Sequence, residues 1–212
     1  TSMTSMFMPA FAIAAMMFKA VVVKLGVQWN ESLTGYGVSG APRLYHSGIG
    51  AMFVFVFYGL WIARRHLWDV VRKALFGAAD VDDTDEILSY RAAFFGMLAG
   101  LAVMTVWLVK SGLSLPVALF VLGCAMVIFL GLSRIVAEGG LACCVAPAIA
   151  PELAVSKLGA LAIGKAGLVS LAFTYVWTSD IRVFLMAEAA TGLKLSQGVR
   201  TGRRRIAGAM AL

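Results

Sequence analysis

The sequence predicts an all-α protein: a polytopic bundle of transmembrane helices with a broken or re-entrant segment near residues 138–152. Three observations carry this. Of the 212 residues, 61% are hydrophobic and 14% charged, and the mean hydropathy is +0.89; a soluble domain is about half apolar and a quarter charged. The apolar residues gather into runs near the roughly 20 residues that cross a bilayer as a helix. The basic residues cluster in the segments between those runs, as they do in cytoplasmic loops.

The first expected span covers Met8 to Leu25 and holds Lys19 and Lys24. Lys24 can snorkel to an interface, whereas Lys19 lies deeper and reads either as a structural ion-pair partner or as a functional charge. Gly26 to Arg43 is rich in glycine, serine and aromatics, with Trp29, Tyr36 and the adjacent Tyr45 suited to a membrane surface. The second span runs over 47–63 and ends at Arg64-Arg65-His66. Leu67 to Phe76 then has an amphipathic helical pattern. Leu67, Val70, Val71, Ala74 and Leu75 share a face, so it either lies along the bilayer surface or simply extends the span. Asp80 to Glu86 is an acidic linker without the central glycine of a calcium loop. Spans three (92–109) and four (113–133) are joined by Lys110-Ser111-Gly112, with Pro116 in the first turn of the fourth. The fifth run, 159–178, carries Lys165, and Ser179 to Arg205 is polar and basic.

The positive-inside rule puts loops 64–91 and 179–205 in the cytoplasm. The chain must therefore cross an even number of times between Arg134 and Arg182, yet only one long apolar run lies there. Glu138 to Glu152 supplies the missing pass. Gly139 and Gly140 open the helix, and Pro147 and Pro151 remove backbone donors. Irregular backbone at membrane depth is tolerated only where protein buries it or it lines a watery cavity, and transporters hold solutes at such breaks. The alternative is a glycine-rich cytoplasmic turn followed by an ordinary span.

The candidate binding or gating residues are Arg134, Glu138, Gly139, Gly140, Glu152 and Lys165. Arg134 and Glu138 are four apart and pair on a continuing helix, as a cap of the span or as a charged gate. Lys165, about seven residues into its run, reads either as the partner of Glu138 or Glu152 or as an anion contact. Cys143 and Cys144 have no neighbouring base and read as small packing residues. No catalytic, metal or cofactor motif occurs, so neither an enzyme nor a cofactor is expected. Nucleic acid is not an expected partner. The ends look interrupted: the chain begins at Thr1, and Ile206 to Leu212 follows Arg203-Arg204-Arg205 as a new span would. The chain therefore reads as an internal piece of a larger protein.

Ser89-Tyr90-Arg91 at the start of a span, Ser114 to Leu119, and Arg134 to Leu141 (RIVAEGGL) resemble the signature region of two families of uncharacterised multi-pass membrane proteins, DUF6785 and DUF6784. Leu185 to Leu195 (LMAEAATGLKL) is similar to a later segment of theirs, though the residues before Gly192 depart from it. These families look distantly similar to the oligopeptide-transporter group. The resemblance implies a larger integral protein of a bacterial or archaeal cytoplasmic membrane, and it supplies no site residues. The expected function is transporter-like, moving a small peptide-like or charged solute by alternating access. The alternative is a non-transporting subunit of a membrane complex, self-associated or joined to other membrane subunits through small-residue faces at Gly96, Gly100, Gly123 and Gly131. The lipid bilayer is the partner common to both.

Overall fold

The structure is a computed structural model, and it describes residues 13–14, 16–18, 20–21, 24–26, 42–77, 89–140, 146–178 and 185–196. Lys19, Trp29, Tyr36, the acidic linker 80–86, Cys143, Cys144, residues 179–184 and everything past 196 lie outside them. Between 13 and 26 the described backbone is helical up to a left-handed Gly26, consistent with the first expected span.

Seven further helices follow among the described residues. They are α1 (Pro42–Ile62), α2 (Arg64–Phe76), α3 (Tyr90–Lys110), α4 (Leu115–Gly139), α5 (Ala150–Leu158), α6 (Ala160–Thr178) and α7 (Leu185–Ser196). The described residues contain no strand. Four helices are long and apolar enough to cross a membrane: α1 from Tyr45, α3, α4 and α6.

α1 starts five residues before the expected span, with proline at its first position, where a missing N–H costs nothing. The shift corrects the expectation for Tyr45. It is fully buried and begins a stripe with Ile49, Met52 and Val56 that faces inward at helical spacing. α3 is started by Ser89, whose hydroxyl accepts from the Ala92 N–H at 3.4 Å. α4 runs six residues beyond its predicted end and stops at Gly140, whose φ of 62° is the left-handed conformation that ends helices.

α4 is the centre of the bundle and packs against α1, α3, α5 and α7. Its inward residues Val121, Ala125, Ile128 and Leu132 form the core with α1, α5 and α6. The contacts also fix directions. A Cβ on Gly131 would meet Met52 Cγ at 3.0 Å and Val56 Cγ2 at 3.1 Å, and the Arg134 guanidinium lies on Gly59. α1 and α4 therefore run the same way. The turn at Gly112 touches Ala166 and Gly167, while Trp177 meets Phe129 edge to face at 6.2 Å. The later part of α6 therefore runs parallel to α4 as well. One end of the bundle holds the α3–α4 turn; the other holds Arg64, Arg134 and Glu138.

Two expectations need correction here. The fifth run is not one helix. Gly159 (φ 79°, ψ 149°) separates α5 from α6, and Gly164 (φ 75°, ψ 167°) breaks α6 itself. Such angles are open to glycine and almost closed to other residues. The basic stretch expected as a loop contains α7, which packs along α4. Its Lys194 ammonium donates to the Ala137 carbonyl near the end of α4 at 2.6 Å, where helix carbonyls lack partners.

Candidate functional site

The interrupted stretch after Gly140 is the unusual part of the molecule. Residues 146–149 are irregular, and Pro147 packs against the second turn of α1, where a Cβ on Gly48 would lie 3.1 Å from Pro147 Cβ. Gly59, at the Arg134 end of α1, lies eleven residues further on, about 16 Å along a helix. Pro147 therefore stands about 16 Å along the bundle from the end at which α4 stops. Protein buries the residues that follow it: Ala148, Ile149 and Ala150 are all within 3% of full burial. The backbone thus meets the requirement for irregular structure at membrane depth.

Pro151 does not interrupt a helix, as expected from the sequence, but starts one. It sits in the first turn of α5, where no N–H is needed. Glu152 follows it in the same turn and is only 6% exposed. Its carboxylate is at the positive end of the helix dipole, which favours an anion. At the far end of α5, Lys157 Nζ lies 3.4 Å from His46 Nδ1 in the first turn of α1, so α5 is tied to α1 as well as packed on α4 and α6.

α6 supplies the other wall. Its buried stripe is Ile163, Gly167, Ser170, Leu171, Thr174 and Thr178, so hydroxyls replace the usual aliphatic side chains. Thr174 and Thr178 donate to backbone oxygens of their own helix, at 2.6 Å to Leu171 and 2.7 Å to Thr174. The Ser170 hydroxyl and the Trp177 indole N–H are buried with no hydrogen-bond partner among the described residues. Buried polar atoms are nearly always bonded, so two on one face call for a guest or water. The sequence reading missed this stripe because serine and threonine inside an apolar run look like ordinary small residues.

The predicted site residues fall into three places. Arg134 and Glu138 pair as their spacing suggested, Nε to Oε1 at 2.7 Å, with side chains 37% and 59% exposed. The guanidinium also lies over the Phe55 ring at 4.8 Å and covers Gly59, which clamps the ends of α1 and α4 together. Gly139 and Gly140 close α4 directly below this pair. Glu152 lies in the interior. Lys165 is at the opposite end, exposed, immediately after the Gly164 break and beside the α3–α4 turn. It is less deep than its position in the run suggested, because the break resets where the straight helix begins. The pairing of Lys165 with Glu138 is not formed. Of the small-residue positions, Gly131 is used inside the bundle, whereas Gly96, Gly100 and Gly123 face open space.

Four membrane-length apolar helices around a buried, interrupted pass define a polytopic α-helical integral membrane protein. Residues 5–212 match the family of unknown function DUF6785, and the chain belongs to that family. No curated protein and no solved structure matches it.

Proposed function

We propose that the protein is a secondary-transporter-like membrane protein that moves a small peptide-like or charged solute by alternating access. The observation that supports this best is the interrupted pass. A buried non-helical stretch leads into the short helix α5 inside the bundle, and α5 packs on a helix whose inner face carries hydroxyls and two unsatisfied polar atoms. Discontinuous helices of this kind are how transporters present helix ends and backbone groups to a solute. In this reading Glu152 and Ser170 contact the solute, and the Arg134–Glu138 pair, with Gly139 and Gly140, gates one mouth. Lys165 attracts anions at the other, and the basic loops face the cytoplasm of a bacterial or archaeal cell. Nothing in this reading calls for catalysis.

Uptake of labelled di- and tripeptides and small organic anions into vesicles holding the intact protein tests it. Glu152→Gln and Ser170→Ala are expected to cut uptake at least tenfold with normal membrane levels. Undiminished uptake in both variants would overturn the assignment.

A second reading, a non-transporting subunit, draws on α3. That helix is nearly all exposed, and Gly96 and Gly100 offer its neighbours a smooth surface. It predicts stoichiometric co-purification with a membrane partner, lost in Gly96→Leu/Gly100→Leu, and no solute flux.

A further inference from the structure

α2 lies across the end of α3 rather than beside it. His66, in its first turn, meets the Tyr90 ring edge-on at 6.0 Å, and Gly77, just past its last residue, lies under the Arg91 guanidinium. Helices running side by side would pair those two ends with residues about eleven apart on α3. Here they pair with adjacent ones. The buried residue of α2 is Ala74, 3% exposed, flanked by half-buried Val70 and Val71. The backbone bonds Ala63 N–H to Gly59 O (3.0 Å) and Leu67 N–H to Ala63 O (2.9 Å) tie α2 to the end of α1. α2 therefore sits where two membrane spans end, crosswise to one of them.

Its outward face mixes two chemistries. Trp68, Leu75 and Phe76 are 64%, 52% and 77% exposed. On the same side stand Arg64, Arg65 and Arg72, all exposed. Water penalises the first set and hydrocarbon the second. The boundary between lipid headgroups and acyl chains suits both, with aromatic rings at headgroup level and guanidinium groups on phosphate. Over Arg64–Phe76 four Arg/Lys face one Asp, a net charge of +3 before His66 is counted. Arg64 is already set toward the surface, stacked 4.8 Å from the Trp61 ring and donating to the Trp61 carbonyl at 2.9 Å.

We infer that α2 is an interfacial helix that binds the headgroups of anionic phospholipids, with Arg65 and Arg72 on phosphate and Trp68 and Phe76 seated among the first acyl carbons. The inference is independent of what the bundle transports. It is tested with the intact protein in vesicles containing brominated phosphatidylglycerol or brominated phosphatidylcholine. The difference between wild type and Trp68→Phe isolates the fluorescence of that one indole. Trp68 is expected to be quenched by both lipids and preferentially by the glycerol lipid. Each arginine near an anionic surface contributes roughly fivefold, so Arg65→Gln/Arg72→Gln should remove most of the preference, as should high salt. Equal quenching by the two lipids, unchanged in the double variant, would leave an interfacial helix without headgroup recognition and overturn the proposal. Quenching by neither lipid would remove α2 from the bilayer and overturn it entirely.

Discussion

α3 and α4 are consecutive, joined by a tight turn, and strongly apolar. Yet 6% of α3 is buried inside the molecule and 50% of α4. Length and composition identify both as membrane-crossing, because lipid and protein interior are equally apolar. What separates them is side-chain size in register with a neighbour. Gly131 lets α1 approach to within contact of Met52 and Val56, and Ala118 and Ala125 are likewise small and buried. On α3 the glycines meet nothing, and Phe95, Val103 and Val106 point outward. One helix is a scaffold and the other a wall.

This contrast can be broken experimentally. Ile128→Ala, at a core position 2% exposed, opens a cavity and should lower stability by about 2 kcal/mol or more. Leu98→Ala, at a site 44% exposed on α3, should cost well under half of that, because lipid refills the space. Denaturation in mixed micelles compares them; equal losses would mean that α3 is as central as α4. Gly131→Leu overpacks the α1–α4 contact and should destabilise by about 1–3 kcal/mol. Gly100→Leu should be near neutral in the same assay.

Gly164→Ala forces a side chain into a conformation that costs about 1–3 kcal/mol. No Cβ clash contributes, since nothing lies within 4 Å. A lowered melting temperature would therefore report backbone strain alone, and an unchanged one would show that α6 can straighten. A smaller loss is expected for Arg134→Gln. A half-exposed ion pair with a stacked ring is worth less than about 1 kcal/mol. A larger loss would mark the Arg134–Glu138 clamp as part of the scaffold.

Much of this architecture was legible in the sequence. Apolar runs pointed to the four helices long enough to cross a membrane, and the i, i+4 spacing gave the Arg134–Glu138 pair. The need for an extra pass between Arg134 and Arg182 located the irregular stretch near Pro147. The rest depended on contacts that composition does not encode. Tyr45 reads as a surface aromatic until the helix is seen to start at Pro42. Pro151 reads as a breaker until it is found at a helix start, where proline is favoured. Gly164 is one glycine among 22, and only its backbone angles distinguish it from glycines that pack. The hydroxyl stripe of α6 needs the orientation of the helix, which an evenly apolar run does not specify.

The break at Gly164 also bears on how the chain reaches its place in a bilayer. The straight part of α6 after it has fourteen residues, about 21 Å, against the roughly 30 Å of hydrocarbon a spanning helix must match. Such a segment, led by a lysine, is a poor substrate for stepwise insertion during synthesis. Its packing on α5, which in turn packs on α4, supplies contacts that lipid alone would not.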